Sequence, residues 1–383
     1  MQFFTTFLAA LAAPAIDART GLIPGKWIAV LKSEGSMDSV LSTVANTTGL
    51  NVMSSYKIGS FRGIKLSSTS YRLINILTSL ADIAYIEADQ KVTTSALTTQ
   101  ANATWGLARI SSRVLGTTSY TYDDSAGQGT FAYCIDTGIA TDHPDFEGRA
   151  EFGASFVDGE GEGDGNGHGT HTAGTVGSKT WGVAKKTRLI AVKVLGADGS
   201  GSTSSVIEGM QWTLQDATVK GRIGKSVANL SLGGPKYLGL TGQASNDAAA
   251  AMVAGGVFLS VAAGNDNLPV SGLSPASERT VCTVGATDNE DARAQFSNWG
   301  DLIDVFAPGV GIKSTWNDLG TNTISGTSMV APHITGLAAY LLSLEGAIDP
   351  DTLCGRIQAL ATTKVVSSAL SKNDLLAYNG IVA

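Results

Sequence analysis

Four continuous apolar runs in the middle of the chain predict the strands of a buried sheet. None shows the apolar-polar alternation of a strand with one exposed face, so both faces are expected to be covered. Segments of helical composition at 204–218 and 244–254 separate the runs. This order predicts an α/β domain with a doubly wound, mostly parallel sheet and helices on both faces. The runs lie at 131–135, 189–194, 227–232 and 257–262.

The chain before residue 93 has a different pattern, which predicts a small α+β domain of its own. Short strands and helical stretches follow one another there as in a βαββαβ unit. From 93 to 104 the residues are small, polar and aperiodic, which predicts a linker and a natural site of proteolysis. The strands are expected at 27–31, 61–66 and 84–86, and the helices at 37–48 and 74–80.

The first residues predict a signal peptide. Residues 3–13 are apolar and small residues up to Ala18 offer cleavage sites, so residues 1–18 predict secretion. Because no positive charge precedes Phe3, a buried N-terminal strand or helix is the alternative. The longest later apolar stretch, 329–344, is interrupted by polar residues and is too short for a bilayer, so it predicts a buried helix and no membrane span.

The composition is that of a globular enzyme. The 383 residues exceed what one hydrophobic core accommodates, so a main domain and a smaller unit are expected. Hydrophobic residues make up 43% of the chain and charged residues 15%, and the 46 glycines indicate many tight turns. The net charge of -7 and the lack of a Lys/Arg cluster leave no basic surface for a phosphate backbone, so nucleic acid is not an expected partner.

Two glycine-rich turns carry candidate catalytic residues. Asp136 follows the run at 131–135, where it is either a turn cap or a functional carboxylate at the carboxyl end of a strand. His168 stands where a helix is expected to begin. His168 and His171 would share one helical face, as in a zinc site, but the Glu of a zincin HExxH motif is missing, so His171 is expected to be a packed residue. His143 is expected in a surface turn.

A serine and an asparagine supply further candidates. Ser328 follows Gly326 in a turn that leads into the long apolar helix. The residue is either a helix N-cap or a nucleophile, because the unpaired N–H groups of a helix start also stabilise an oxyanion. Asn265 follows Gly264 just beyond the fourth apolar run, and its amide either caps the turn or donates to the same oxyanion.

These motifs resemble the subtilase family of serine proteases, and most closely its proteinase K-like fungal branch. The family's order of Asp, His and Ser is matched by Asp136-Thr-Gly, His168-Gly-Thr-His and Gly-Thr-Ser328-Met. The resemblance extends over residues 105–383. Residues 26–92 resemble the family's inhibitory propeptide more loosely.

The resemblance implies a serine endopeptidase that forms an acyl-enzyme and has broad specificity with an apolar or aromatic preference. It makes Ser328 the nucleophile, His168 the base, Asp136 the partner of His168, and Asn265 part of the oxyanion hole. It also implies three substrate-binding segments, two for an extended peptide and one for the pocket before the cut. The segments are Gly199, Ser200 and Gly201; Ser231, Leu232 and Gly233; and Ala262, Ala263 and Gly264.

The same resemblance divides the chain into three parts. It implies a signal peptide at 1–18, an inhibitory propeptide at 19–95 and a catalytic domain at 96–383, made as a self-processing precursor. The expected partners are protein and peptide substrates and the chain's own propeptide. A secreted monomer is expected, and the chemistry requires no cofactor.

The resemblance also suggests a structural calcium ion. Asp304 matches a carboxylate ligand of the branch, with the backbone carbonyls of Arg279 and Val281 as partners. Arg279 departs from the branch, which has proline there. The acidic loop at 158–164 lacks the acidic twelfth residue of an EF-hand, because Gly169 falls there, and predicts a solvated loop.

The three cysteines allow one disulfide and one free thiol, and their spacing alone does not choose the pair. Cys134 lies in an apolar run, where a buried thiol is the ordinary expectation, which leaves a Cys282–Cys354 bridge as the hypothesis. The branch commonly has more cysteines, and Phe131 and Thr172 stand where two of them would be.

Three Asn-X-Ser/Thr sequons offer glycosylation sites. Asn46 and Asn102 are the expected acceptors. Asn229 lies in a predicted buried strand and is a poor acceptor.

Two alternative functions are considered for the same residues. A catalytically silent protein would bind peptides in the same cleft, but the complete set of Asp136, His168, Ser328 and Asn265 favours an enzyme. A different hydrolase, such as an esterase of the α/β-hydrolase class, would need a Gly-X-Ser-X-Gly elbow, and Ser328 lacks the second glycine.

Overall fold

The structure is a computed structural model that describes residues 22–90, 96–237 and 240–381. The chain divides into two compact units, Met1–Thr94 and Ser95–Ala383. The predicted signal peptide at 1–18 lies outside the described residues.

The N-terminal unit is the small α+β fold that the sequence predicts. Its antiparallel sheet has the order β2-β3-β1-β4, and Val40, Val44, Ile74 and Leu77 of the two helices belong to its core. The pattern of apolar residues does not show β2 as a strand, because nearly all its side chains are exposed. The elements are β1 (Leu22–Leu31), α1 (Met37–Ala45), β2 (Asn51–Ile58), β3 (Phe61–Ser67), α2 (Tyr71–Thr78) and β4 (Ile83–Gln90).

The C-terminal unit begins with elements that lead into a large sheet. The segment predicted as a linker contains a short strand, β5, which pairs antiparallel with β6. Its side chains are not buried, so main-chain pairing rather than an apolar pattern defines it. The first elements are β5 (Leu97–Gln100), α3 (Trp105–Ile110), β6 (Tyr120–Asp123), β7 (Phe131–Asp136), β8 (Ala150–Ser155), α4 (His168–Gly177), β9 (Arg188–Lys193), α5 (Thr203–Val219), β10 (Ser226–Leu230), β11 (Gly234–Pro235), α6 (Gln243–Ala254) and β12 (Phe258–Ala262).

The remaining elements complete the nine-stranded sheet, whose order is β18-β19-β15-β14-β12-β10-β7-β9-β8. All its strand pairs are parallel except the pair β18–β19 at one edge. The α/β prediction is therefore confirmed. The elements are β13 (Leu273–Ser274), β14 (Cys282–Thr287), β15 (Val305–Pro308), β16 (Ile312–Thr315), β17 (Thr321–Ile324), α7 (Val330–Glu345), α8 (Pro350–Leu360), β18 (Thr362–Thr363) and β19 (Leu375–Leu376).

Alternation along β7 divides the core between the two faces of the sheet. Ala132 and Cys134 pack in the cluster that contains α4 and α7, and Tyr133 and Ile135 pack in the cluster that contains α5 and α6. Since successive side chains of a strand point to opposite faces, Asp136 belongs to the α4 and α7 side. In the sheet β7 lies between β9 and β10. The strands that follow it in the chain, β8 and β9, lie on one side and the later β10 and β12 lie on the other, so the strand order reverses at β7, which is where doubly wound folds bind ligands.

Helix α7 forms the centre of one core cluster. Together with the turn before it, the segment Thr327–Glu345 has 19 residues and is long and apolar enough to cross a membrane, contrary to the predicted length limit. The most apolar part of this segment is 83% buried within the fold, so α7 is a core helix.

Candidate active site

Asp136 is a buried carboxylate at the carboxyl end of β7. Its side chain has no exposed surface, and its Oδ1 accepts hydrogen bonds from the backbone N–H of Thr137 (2.8 Å) and from Nδ1 of His168 (2.7 Å). A carboxylate only accepts, so Nδ1 of His168 carries the proton and Nε2 has a free lone pair. This is the arrangement that a general base requires.

His168 is the first residue of α4 and a quarter of its side chain (25%) is exposed. The preceding Gly167 has a φ of 103°, a conformation that favours glycine, and allows the sharp entry into the helix. Burial lowers the pKa of His168, but the charge of Asp136, its hydrogen bond and the charge of Asp164 outweigh burial and raise that pKa above its ordinary value.

Asp164 is a site residue that the sequence analysis missed. Its Oδ1 accepts hydrogen bonds from the Thr137 hydroxyl (2.8 Å) and from the N–H of Gly167 (2.8 Å). Its Oδ2 accepts from the N–H (2.8 Å) and the hydroxyl (2.6 Å) of Thr170. The carboxylate therefore satisfies free N–H groups at the start of α4 and fixes the turn after Asp136. No local sequence pattern indicated this role, because the Thr137 partner lies 27 positions away in the chain.

The acidic loop is therefore only partly a solvated loop, contrary to the prediction. Asp164 is buried, and Glu160 forms an ion pair with the buried Lys193 (2.9 Å). Glu160 also accepts a hydrogen bond from the N–H of Ala197 (3.1 Å), so the loop is bound to the segment that leads to Gly199.

Ser328 lies in a 3-10 turn, Thr327–Met329, directly before α7. Its hydroxyl donates to the backbone carbonyl of Ser231 (3.0 Å), and the Ser231 hydroxyl donates to the carbonyl of Ser328 (2.8 Å). The structure thus places Ser328 in the same cleft as His168, with the hydroxyl turned to Ser231 rather than to the imidazole. In a site without substrate, such bonds are often not yet formed.

Asn265 is held by its side-chain carbonyl oxygen. That Oδ1 accepts hydrogen bonds from the N–H (2.8 Å) and the hydroxyl (2.9 Å) of Thr327, the neighbour of Ser328. Because the oxygen is engaged on the protein side, the NH2 group is the part of the exposed side chain left for a ligand. The cleft contains Asn265, His168 and Ser328 together.

The cleft has a volume of about 670 Å³. Its lining includes eight of the nine residues that sequence analysis assigned to substrate binding. Ala263 is the exception, because its side chain is buried in the core cluster with α5 and α6. Further residues beyond the expected segments also line the cleft, and no sequence pattern indicated them. They include Asn166, Leu195, Thr241, Gly242, Leu273 and Pro275.

The other two histidines discussed above are buried. Nε2 of His171 is 3.0 Å from the carbonyl of Ile312, and burial lowers the pKa of His171 to about 4. His171 is therefore a packed, neutral residue near His168. His143 is only 4% exposed, so the surface-turn prediction is wrong. Its Nδ1 accepts from the N–H of Asp145 (3.1 Å) and caps a short 3-10 turn.

Asp304 and the disulfide lie at the other end of the sheet. A disulfide joins Cys282 and Cys354, whose Cα atoms are 5.7 Å apart, and Cys134 is a buried free thiol. The carboxylate of Asp304 accepts from the N–H of Thr283 (2.9 Å) and from Nε2 of Gln358 (3.2 Å), and burial raises its pKa to about 6.

The sequons differ in exposure. Asn46 and Asn102 are exposed, and Asn229 is fully buried, with its amide donating to the Ser231 hydroxyl (2.9 Å). Of these three, only Asn46 and Asn102 are accessible in the folded chain.

Comparisons with known proteins show which sequences this chain is similar to. The model of the subtilase family matches residues 127–379. The chain is 51% identical to the protein named subtilisin-like serine protease AsES of Sarocladium strictum, over 84% of this chain and 81% of that protein. It is 45% identical to the cuticle-degrading protease of Metarhizium anisopliae, over 98% of each.

The fold is also similar to a solved structure. The crystal structure of a cold adapted subtilisin-like serine proteinase superposes with a TM-score of 0.69 at 42% sequence identity. The similarity covers 74% of this chain and 100% of that chain.

Proposed function

Because the chain belongs to the subtilase family of serine proteases, we propose that it cleaves internal peptide bonds with Ser328, His168 and Asp136 as its catalytic triad. The observation that carries this proposal is the hydrogen bond of 2.7 Å between Asp136 and His168, in a cleft that also contains Ser328. Enzymes of this family need no cofactor for catalysis.

The first step is attack by Ser328. Its hydroxyl turns from the Ser231 carbonyl to Nε2 of His168, which takes the proton as the oxygen attacks the scissile carbonyl. Asp136 keeps the imidazole in the correct tautomer and stabilises the imidazolium that forms. His168 then gives the proton to the leaving amine, and water releases the acyl group by the same steps in reverse order.

The negative charge on the substrate oxygen is stabilised by two donors. These are the amide of Asn265 and the backbone N–H of Ser328, which lies in the turn before α7. The donors are fixed in advance, since Thr327 holds Asn265 and the turn holds the backbone of Ser328. They therefore need no rearrangement when the charge develops.

We assign substrate recognition to the small residues that line the cleft. The segments at 199–201 and 231–233 would pair with an extended peptide as added strands. Gly264 has a φ of 98°, and a Cβ there would meet the buried Asn298 at 2.4 Å, so the turn that lines the pocket before the cut requires glycine. An apolar or aromatic side chain fits such a pocket. Cleavage of a peptide panel after Lys or Arg alone would contradict this assignment.

The precursor is proposed to be secreted and to process itself. The N-terminal unit forms its own compact fold with its own core, as a propeptide with an inhibitory role requires. The mature enzyme is then a monomer that begins near Ala96 and has Asn102 as its expected glycan acceptor; Asn46 would leave with the propeptide.

N-terminal sequencing of the secreted product tests the triad and the processing together. The wild-type chain is expected to yield a mature start near Ala96 and to cleave protein substrates. The Ser328→Ala chain is expected to keep its N-terminal unit and to be inactive. An active Ser328→Ala enzyme, or the same processed start in both, would show that the assignment is wrong.

Asp304 remains a proposed calcium ligand, with the carbonyls of Arg279 and Val281. A half-buried carboxylate that forms no ion pair among the described residues fits a cation, which would supply stability and no chemistry. Calcium is expected to raise the melting temperature of the wild type over that in EDTA, but not that of Asp304→Asn. Asp301→Asn, on the exposed neighbour, should respond like the wild type. If calcium raised the melting temperature of Asp304→Asn as much as that of the wild type, Asp304 would not be a calcium ligand.

A further inference from the structure

The second oxygen of the Asp136 carboxylate has a hydrogen-bond donor of its own. Oδ1 is engaged by His168 and Thr137, and Oδ2 lies 3.3 Å from the hydroxyl of Thr172. Within residues 22–90, 96–237 and 240–381, this hydroxyl is the one donor to Oδ2. Asp136 has no exposed surface, so solvent does not replace the bond. Losing the donor would leave a buried charged oxygen unsatisfied.

Thr172 reaches this oxygen because of its position on α4. It follows His168 by four residues, so both side chains lie on the face of the helix that meets the end of β7. Thr172 is fully buried. Its hydroxyl is also 3.1 Å from the carbonyl of Gly169, and its single proton goes to one acceptor at a time. An ionised carboxylate is the stronger acceptor of the two.

We propose that Thr172 is a positioning residue that holds the plane of the Asp136 carboxylate, an inference that rests on the proposed triad. With Oδ2 bound to Thr172, Oδ1 stays directed at Nδ1 of His168. The same hydrogen bond partly neutralises the charge on the carboxylate, so the carboxylate stabilises the protonated form of His168 less. Without the hydroxyl, the carboxylate rotates more freely and the pKa of His168 rises.

The other titratable groups around this pair are few. Asp164 raises the pKa of His168 from the loop before α4, and the buried His171 lies on α4 itself with its own pKa lowered. Cys134 approaches Asp136 from β7, and its pKa is raised because the thiol is buried, so it stays neutral in the working range. Lys193 lies beside Asp136 on β9, and its charge is paired with Glu160 (2.9 Å). Among the hydrogen bonds of the described residues, none of these four groups contacts the Thr172 hydroxyl.

The test replaces Thr172 with valine, which has the same shape but no hydroxyl. Thr172→Val in the full chain is expected to lower kcat roughly tenfold to a hundredfold, the range for a hydrogen bond to a charged group, with KM nearly unchanged. The acid limb of the kcat/KM pH profile should move to higher pH. Thr172→Ser keeps the donor and should restore kcat and the profile.

Thr175→Val is the matched control. Thr175 lies on the same helix, is buried, and its hydroxyl donates to the backbone carbonyl of His171 (3.2 Å) and not to Asp136. This variant should keep the wild-type profile. If Thr172→Val does not accumulate, the smaller Thr172→Ala is measured instead and should show the same changes.

Two failures can be told apart. If the wild type is active and Ser328→Ala is not, but the valine or alanine variant at Thr172 keeps the wild-type kcat and pH profile, Thr172 has no positioning role. If Ser328→Ala is as active as the wild type, the proposed triad itself fails.

Discussion

At the scale of single residues, the oxyanion donors depend on how Asn265 is held. Both bonds to Thr327 engage its carbonyl oxygen, so replacing the side chain removes an N–H donor that faces the cleft. Asn265→Ala should lower kcat by about 10²–10³ and change KM little, because the lost bond forms mainly in the transition state. Steady-state kinetics on a peptide substrate measure both constants.

The control for this variant is Asn267→Ala. Asn267 is an exposed residue two positions away, and its carbonyl oxygen accepts from Arg293 (3.1 Å). Its replacement should leave kcat unchanged. If Asn265→Ala kept the wild-type kcat, the assignment of Asn265 to the oxyanion hole would be wrong.

The pKa of His168 sets the acid limit of activity. Nε2 must be unprotonated to act as a base, so kcat/KM should fall as the pH drops through the raised pKa of His168. Asp164 raises this pKa by its charge. Asp164→Asn should therefore move the acid limb to lower pH and also lower kcat, because an amide has one acceptor oxygen and cannot replace both carboxylate oxygens.

Asp158→Asn makes the same charge change on the exposed part of the same loop. Its pH profile should match the wild type. If both variants shift the acid limb equally, the shift in Asp164→Asn results from the change in net charge and not from the position of Asp164 beside His168.

Individual site residues were predictable when their surroundings were local. Asp136, His168, Ser328 and Asn265 each follow a glycine-rich turn or an apolar strand, and both signals are visible in the sequence. Ala263 was misassigned because neighbouring residues of one segment point to opposite sides. The environment of Asp164 depends on groups such as Thr137, far away in the chain, so no local pattern indicates it.

At the scale of elements, a buried ion pair attaches α3 to the rest of the domain. Arg109 donates two bonds of 2.8 Å to the carboxylate of Asp291, and both side chains are nearly buried. Arg109→Ala leaves that carboxylate buried without its partner and should cost about 3–5 kcal/mol of unfolding free energy. Urea denaturation in the Ser328→Ala background, which prevents self-digestion, measures the loss.

An exposed pair provides the comparison. Arg356 also forms a two-pronged pair, with Glu345, but the Arg356 side chain is 39% exposed. Arg356→Ala should lower the unfolding free energy by no more than about 1 kcal/mol. Equal losses in the two variants would mean that burial of the Arg109 pair has no special effect.

Four of the nine strands of the large sheet, β7, β9, β10 and β12, were predicted from apolar runs. The strands β8, β14, β15, β18 and β19 were not predicted, and neither were the exposed strands β2 and β5. Buried runs such as 131–135 are almost uniformly apolar, which fixes their position within a residue or two of the observed strand. Strands Leu97–Gln100 and Asn51–Ile58 have few buried side chains. Their existence depends on main-chain bonds to a partner strand, and a pattern of side chains does not contain that information.

At the scale of the whole molecule, the Cys282–Cys354 disulfide closes a loop across 72 positions between β14 and α8. In the chain-entropy model such a loop contributes about 4 kcal/mol by restricting the unfolded chain. The Cys282→Ser, Cys354→Ser double variant should therefore unfold at a lower temperature. Calorimetry measures this change, and dithiothreitol should lower the melting temperature of the wild type but not that of the variant.

The burial of α7 has a consequence for how the enzyme is inactivated by heat. The helix is buried without a break from Val330 to Leu342, and Ser328 stands at its entrance. Amide protons in such a core helix exchange with deuterium through global opening of the domain rather than by local fraying. The nucleophile therefore stays in place until the whole domain opens, and we expect heat inactivation and the slowest amide exchange to proceed at the same rate.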